Sequence, residues 1–301
     1  MKHLISIADL TRDDVERTLE TAGALAGIEG KLPALKGKLV LSLFFESSTR
    51  TSSSFELAAK KLSADVMSLK AAGSSVDKGE SLKDTVLTLA AYEPDAIVVR
   101  HPQIGAPELV ARYSKAAVVN AGDGKRQHPT QALLDLFTIR EALGHLDGLH
   151  VAIVGDVLHS RVARSVIQAL ALVGARTTLV GPPTLLPRGI EALGCETATE
   201  IGAIADADVV YVLRMQRERM ESAFVPSLRE YAARWGITPE RLRPGQKIMH
   251  PGPINRGVEI DGRVADSTDS LILEQVRSGL AVRMAVLHEL LVARPALEVV
   301  A

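Results

Sequence analysis

The sequence predicts an α/β protein of two similar domains, each built on a parallel β-sheet flanked by helices. Short apolar runs alternate with segments whose apolar residues recur at helical spacing, and this alternation is typical of βαβ units. The length of 301 residues suits two domains of ordinary size. Two stretches, 35–50 and 146–161, also share a Leu-x-Gly opening, an apolar strand and a terminal arginine at the same offset. They suggest two similar halves, each offering an arginine at the carboxyl edge of its sheet.

The elements of the first half follow from capping signals and apolar periodicity. The first helix begins near Thr11, where TRDD supplies an N-cap residue and an acid three residues further on. A later helix begins at Pro129, which suits the first helical position and leaves His128 at or beside the N-cap. Between them, strands are predicted at 38–45, 96–100 and 117–119, and helices at 52–62 and 81–92.

The second half repeats this alternation. Strands are predicted at 150–154, 176–180, 208–213 and 247–249, and helices at 160–173, 188–193 and 227–235. A final long helix is predicted at about 269–292, because its apolar residues fall on one face. In open parallel sheets ligands bind at the carboxyl edge, so the polar residues that follow strands are the candidates for chemistry.

Composition excludes several classes of function. The formal net charge is −1 and no long basic or acidic block occurs, so neither nucleic acid nor a membrane surface is an expected partner. The single cysteine, Cys195, excludes an intrachain disulfide framework and a cysteine-based metal cluster. The N-terminus turns acidic too soon for a signal peptide, and no apolar run reaches about 18 residues. We therefore expect a cytoplasmic protein.

A hydroxyl-rich turn follows the first predicted strand. Ser48, Thr49, Arg50 and Thr51 stand at the start of a helix, where unpaired backbone N–H groups, hydroxyls and a guanidinium could together hold a phosphate. The alternative is a helix cap with a solvated arginine. Arg100 also follows a strand, and could join the same site or form a surface salt bridge. The P-loop pattern is absent, so an ATPase loop is excluded.

Two further segments of the first half could contact a ligand. His128 and Gln131 could donate hydrogen bonds to a carbonyl oxygen on which charge develops, although His128 could instead be a simple helix cap. The loop 73–85 carries Ser74 and Lys78, which could close over an anion; the alternative is an exposed lysine.

The second half adds a cluster of guanidinium groups and a stiff turn. Arg161 and Arg214 both follow strands, and two guanidinium forks suit a dicarboxylate. Arg217 and Arg219 are more typical of a charged amphipathic turn. The GxGxxG pattern is absent after the strand at 150–154, so NAD binding is disfavoured. The prolines of MHPGPINRGVEI stiffen a turn whose carbonyls could accept hydrogen bonds from a ligand amide.

Together these segments resemble the aspartate/ornithine carbamoyltransferase family. The matching motifs lie in the family's order between residues 44 and 260: FFESSTRTSSSFE, SSVDKGESLKDT, VVRHPQ, NAGDGKRQHPTQALLDLFTI, GDVLHSRVARS, LRMQRERM and HPGPINRGVEI. The resemblance implies transfer of the carbamoyl group of carbamoyl phosphate to L-aspartate, in pyrimidine biosynthesis, with no metal or organic cofactor. The absence of cysteine from HPGP and the arginines on the acceptor side favour aspartate over ornithine. The alternatives are an ornithine or other amino-acid carbamoyltransferase, or an inactive scaffold subunit.

The resemblance also implies a role for each matching residue. The groups expected to bind carbamoyl phosphate are Ser48, Thr49, Arg50, Thr51, Ser74, Arg100, His128, Gln131, Pro251, Gly252 and Pro253. Those expected to bind aspartate are Lys78, Arg161, Arg214 and Gln216. Arg50, Thr51, Lys78 and His128 are expected to be catalytic.

The resemblance further implies an organisation. A carbamoyl phosphate-binding domain would span 1–140 and be completed by a returning C-terminal helix at 280–301. An aspartate-binding domain would span 141–279. The expected assembly is a homotrimer with shared active sites, in which Ser74 and Lys78 come from a neighbouring subunit. Regulatory or dihydroorotase-type subunits could be further partners.

Overall fold

The computed structural model describes residues 1–70, 79–216 and 224–292, without the side chain of Lys70. These residues form two compact units. Unit 1 contains the described residues of Met1–Ile5, Asp13–Asp123 and Leu280–Ala301, and unit 2 contains those of Ser6–Arg12 and Gly124–Gly279. Within the described ranges, no helix combines the length and the apolar character needed to cross a bilayer.

The sheet of unit 1 is parallel throughout, with its strands in the order β2-β1-β3-β4. These strands are β1 (Leu39–Phe44), β2 (Asp65–Lys70), β3 (Ala96–His101) and β4 (Ala117–Asp123). The helices that accompany them are α1 (Arg12–Ala26), α2 (Thr49–Lys61), α3 (Leu82–Ala90) and α4 (Ala106–Tyr113). The central strands β1 and β3 are almost wholly buried, which explains their nearly continuous apolar sequences.

The sheet of unit 2 is also parallel, in the order β7-β6-β5-β8-β9. Its strands are β5 (His150–Val154), β6 (Arg176–Val180), β7 (Glu196–Ala198), β8 (Val209–Val212) and β9 (Lys247–Met249). The remaining helices are α5 (Pro129–Leu143), α6 (Arg161–Leu172), α7 (Leu228–Trp235), α8 (Gly262–Ala265) and α9 (Ile272–Leu291). The predicted α/β class with two parallel sheets is therefore confirmed.

Each sheet has one point where the strand order reverses. In unit 1 the chain passes from β1 outward to β2 and then returns to β3 on the other side of β1. In unit 2 it passes from β5 outward through β6 and β7 and returns to β8 on the other side of β5. The matched stretches 35–50 and 146–161 contain β1 and β5, which lie at equivalent places in the two sheets. Such reversal points are where open α/β sheets bind ligands.

Several elements differ from the sequence prediction. β2 was not predicted, because it is an edge strand whose mixed polar and apolar residues leave it partly exposed. The short elements α4 and β7 were also missed. The helix predicted at 188–193 is wrong as an α-helix: the chain forms a single 3₁₀ turn at Ile190–Leu193. Left-handed glycines at both ends, Gly189 and Gly194, leave too few residues for an α-helix.

Candidate active site

The turn after β1 places hydroxyl groups at the start of α2. Ser48 is the N-cap residue and has extended backbone geometry, yet its side chain makes no capping hydrogen bond. Its hydroxyl instead accepts a hydrogen bond of 3.1 Å from Nη1 of Arg100. The first three residues of α2 are Thr49, Arg50 and Thr51, whose backbone N–H groups lie at the positive end of the helix dipole. This geometry disfavours the interpretation of Ser48 as a simple cap.

Arg100 is held against this turn by a second contact. Its Nε donates to Oε2 of Glu46 at 3.1 Å, and both side chains are largely buried, with exposed fractions of 17% and 23%. The two contacts join the end of β3 to the turn after β1, across the point where the strand order reverses. Arg100 therefore packs against the turn from β3 and is not an isolated surface salt bridge.

A cleft of about 490 Å³ adjoins the turn and is rich in hydroxyl groups. Its lining includes Ser42, Ser47, Ser48, Thr49, Ser52, Ser53 and Ser68. Two carboxylates also line it, and each contacts a cation: Glu46 pairs with Arg100, and Glu56 pairs with Lys60 at 2.6 Å. Since these negative charges have cationic partners, they oppose a bound anion less than isolated carboxylates would.

In unit 2, His128 is the N-cap residue of α5, as the position of Pro129 predicts. Its side chain makes no capping hydrogen bond, although it is only 4% exposed. Its backbone N–H donates to the hydroxyl of Ser165 at 2.8 Å, which fixes the start of α5 against α6. Gln131 lies one turn further along and is also buried; its Nε2 donates to Oδ1 of Asp135 at 3.0 Å.

The loop after β5 contains a buried pair that the sequence analysis missed. Oδ1 of Asp156 lies 2.8 Å from Nδ1 of His159, and its Oδ2 accepts from the backbone N–H of Gln216 at 3.2 Å. Asp156 therefore joins the loop after β5 to the loop after β8. The sequence signal was an aspartate and a histidine three residues apart after a strand, in the same motif that supplies Arg161.

The predicted aspartate-binding arginines follow the two strands at this reversal point. Arg161 is the first residue of α6 and is 4% exposed; its Nη1 donates to the carbonyl of Gly124 at 3.3 Å. Arg214 and Gln216 follow β8 and are half-buried. The contact of Asp156 with Gln216 brings the two loops together.

The turn after β9 is held from behind by buried polar groups. Nδ1 of His250 accepts from the backbone N–H of Gly252 at 2.8 Å, and its Nε2 lies 3.3 Å from Oε1 of Glu259. His250 and Glu259 are both buried, whereas Pro251 and Gly252 are half-exposed and Pro253 is exposed. The turn can therefore offer carbonyl groups to a ligand while its base stays fixed.

Four residues singled out from the sequence lie outside the described ranges. They are Ser74 and Lys78, expected to come from a neighbouring subunit, and Arg217 and Arg219. The roles expected for Ser74 and Lys78 stay predictions.

Comparisons with known proteins agree over almost the whole chain. Residues 2–141 match the carbamoyl-phosphate-binding domain of the aspartate/ornithine carbamoyltransferases, and residues 147–290 match the aspartate/ornithine-binding domain. The aspartate carbamoyltransferase catalytic subunit of Acidothermus cellulolyticus is 55% identical over 299 residues, which cover 97% of this chain and 93% of that protein.

Solved structures show the same fold. Aspartate transcarbamoylase from Trypanosoma cruzi, in complex with carbamoyl phosphate and aspartate, superposes with a TM-score of 0.88 at 32% identity, covering 96% of this chain and 97% of that one. The catalytic subunit from M. jannaschii gives a TM-score of 0.86 at 37% identity, covering 96% and 98%. Two family matches in order, a relative of this identity and the shared fold leave one conclusion. The chain belongs to the aspartate/ornithine carbamoyltransferase family.

Proposed function

We propose that the chain transfers the carbamoyl group of carbamoyl phosphate to the amino group of L-aspartate, giving N-carbamoyl-L-aspartate and phosphate. The observation that carries this proposal is the set of side chains that lies at the strand-order reversal point of each sheet. The one in unit 1 presents a helix N-terminus, hydroxyl groups and Arg100, which suit a phosphate. The one in unit 2 presents Arg161 and Arg214, which suit the two carboxylates of aspartate.

Each step of the reaction has a group of suitable chemistry. We assign the phosphate to Ser48, Thr49, Arg50, Thr51 and Arg100, with Ser74 and Lys78. His128, with Arg50 and Thr51, would stabilise the negative charge that develops on the carbamoyl oxygen when the aspartate amine attacks the carbamoyl carbon. The attacking nitrogen gives up a proton, the tetrahedral intermediate breaks its bond to the phosphate oxygen, and the leaving phosphate carries that proton away. Gln131 and the carbonyls of the 251–253 turn would orient the carbamoyl amide.

Aspartate is favoured over ornithine by charge. The acceptor groups assigned here are Lys78, Arg161, Arg214 and Gln216, and three of these carry positive charge. They attract a second carboxylate and repel the side-chain ammonium of ornithine. The curated relative named above is an aspartate carbamoyltransferase catalytic subunit.

A comparison of the two amines tests both the activity and the choice of acceptor. The purified chain is given carbamoyl phosphate with either aspartate or ornithine, at equal concentration, and the carbamoylated product is measured. We expect turnover with aspartate and little with ornithine. Preference for ornithine would contradict the acceptor assignment, and no turnover with either amine at saturation would support the inactive-scaffold alternative.

We further propose that the enzyme is a cytoplasmic homotrimer whose sites combine Arg50 of one chain with Ser74 and Lys78 of the next. The support is the resemblance of the motifs around these residues to the family pattern. The reaction would supply pyrimidine biosynthesis, and regulatory or dihydroorotase-type subunits could bind the trimer.

Mixing two inactive variants tests the shared site. Arg50→Ala and Lys78→Ala chains are dissociated, combined in equal amounts and reassembled. In a cyclic trimer every interface is heterologous, so random mixing gives about one-quarter of sites an intact Arg50 facing an intact Lys78. Activity should rise from near zero to about a quarter of normal. If hybrid trimers form without regaining activity, each site is built within one chain.

A further inference from the structure

Asp135 is a fully buried carboxylate in α5 that the reaction described above does not use. It accepts three hydrogen bonds from side chains of unit 2. Nε2 of Gln131 donates to Oδ1 at 3.0 Å, Nε2 of Gln275 donates to the same oxygen at 2.7 Å, and the hydroxyl of Tyr211 donates to Oδ2 at 2.7 Å. All three donors are themselves buried. Three hydrogen bonds to one buried carboxylate form a network in which each member's orientation depends on the others.

The carboxylate decides which way the Gln131 amide faces. An ionised carboxylate only accepts hydrogen bonds, so the glutamine must turn its NH₂ group toward Asp135. The oxygen Oε1 of Gln131 is then directed away from Asp135. Without Asp135, the amide could rotate by half a turn and present a donor in place of this acceptor. The orientation matters for a ligand amide, because a carbamoyl NH₂ group can only donate.

Gln275 extends the same control to the turn after β9. While its Nε2 donates to Asp135, its Oε1 accepts from the backbone N–H of His250 at 2.9 Å. The ring of His250 in turn accepts from the backbone N–H of Gly252 at 2.8 Å. Asp135 is therefore connected through two buried residues to the turn whose carbonyls we assign to the carbamoyl amide.

We infer that Asp135 is a positioning residue for recognition of the carbamoyl NH₂ group. It fixes Oε1 of Gln131 as one acceptor and, through Gln275 and His250, holds the carbonyls of the 251–253 turn as the others. The inference rests on the proposed function and adds a specificity to it: the site distinguishes an amide from a methyl group at the carbamoyl position. The affinity for a phosphate ligand without an amide should not depend on Asp135.

Acetyl phosphate provides the comparison, because it differs from carbamoyl phosphate by a methyl group in place of NH₂. The dissociation constants of both ligands are measured for the wild type and for Asp135→Ala, and their ratio is the readout. Loss of one oriented hydrogen bond should reduce the preference for carbamoyl phosphate by about tenfold. Affinity for inorganic phosphate should stay within about twofold of the wild type.

Two further variants separate positioning from general stability. Tyr211→Phe removes a buried hydrogen bond from the same carboxylate, together with the hydroxyl's contacts with Gln131 and Gln275. It leaves the hydrogen bonds of both glutamines to Asp135, so most of the preference should remain. Asp135→Asn should keep most of the preference, since its oxygen can still accept from Gln131 while the Tyr211 hydroxyl reverses to accept from its nitrogen. A purely structural role predicts instead that Tyr211→Phe and Asp135→Ala behave alike.

The outcomes decide between these roles. An unchanged preference in folded Asp135→Ala, or an equal loss in Tyr211→Phe, overturns the inference. If Asp135→Ala does not fold, the same two dissociation constants are measured for Gln275→Leu. We expect a lower preference for carbamoyl phosphate, and a ratio equal to that of the wild type overturns the inference. If the wild type turns over aspartate but binds carbamoyl phosphate and acetyl phosphate equally well, the inference is overturned and the proposed function stands. A wild type without turnover overturns the proposed function instead.

Discussion

Replacing Arg50 with alanine should nearly abolish turnover without destabilising the fold. Arg50 is the second residue of α2 and is exposed, so its side chain contributes little packing. A positive charge in the first turn opposes the helix dipole, an unfavourable interaction of about 0.3–1 kcal/mol at low ionic strength. Because the interactions of an exposed arginine are worth about 1 kcal/mol or less, its removal should change the free energy of unfolding by no more than about 1 kcal/mol. A single preorganised donor to the developing oxyanion contributes about 3–4 kcal/mol, or about 10²–10³ in rate.

The assay measures phosphate release at saturating carbamoyl phosphate and aspartate, together with urea unfolding of the same preparations. Arg112→Ala, at an exposed arginine near the end of α4 in the same unit, is the control. It should leave the rate unchanged and lower the free energy of unfolding by no more than about 1 kcal/mol, because a cation in the last turn interacts favourably with the helix dipole. A rate loss below tenfold, or a free energy of unfolding lowered by more than about 1 kcal/mol, would refute the reasoning. The first result would remove the catalytic role of Arg50, and the second would show that Arg50 stabilises the fold.

Three more predictions concern unit 2. Arg214→Ala should raise the KM for aspartate with little change in affinity for carbamoyl phosphate; equal weakening of both ligands would contradict its assignment. Gly155→Ala should lower the free energy of unfolding by about 1–3 kcal/mol, because Gly155 has φ +122° and an added Cβ would lie 2.9 Å from the Tyr231 hydroxyl. In the same urea titration the control Gly202→Ala should be neutral, because its Cβ meets no neighbour within 4 Å. Burial lowers the pKa of His150, so its contribution to stability is complete above about pH 6.5 and is lost as the pH falls below that value, by at most about 1.4 kcal/mol per pH unit. In His150→Gln the free energy of unfolding, measured in urea, should therefore fall less steeply between pH 6.5 and 5, and an unchanged slope would contradict this.

Local sequence signals were sufficient to predict the strands that carry the candidate site. β1, β3, β5 and β8 are buried in the middle of their sheets, and such strands read as apolar runs because both faces are covered. The start of α5 was also predictable, because Pro129 is suited to the first helical position whatever surrounds it. The edge strand β2 was not, because partial exposure mixes polar and apolar residues and removes the signal.

The contacts among the buried side chains of the candidate site could not be predicted, for a different reason. The Gln131–Asp135 pair has the four-residue spacing of a helix surface pair and could have been suspected from the sequence. Gln275, which donates to the same carboxylate, lies 140 residues away from Asp135 along the chain. Whether Asp135 is a solvated charge or a buried acceptor of three hydrogen bonds depends on the tertiary packing of α9 and β8. No local pattern encodes that packing.

The shared topology of the two sheets explains why arginine recurs where it does. In each unit the chain first forms the strand beside the reversal point, moves outward, and then returns to the strand on the other side. Two loops that are distant in sequence are thereby brought together at one sheet edge, and each can contribute a cation. Unit 1 places Arg50 after β1 and Arg100 at the end of β3, and unit 2 places Arg161 after β5 and Arg214 after β8. Because a position at or just after the end of a strand is a local property, the places of these arginines could be predicted from the sequence, whereas the long-range contacts of the buried acids could not.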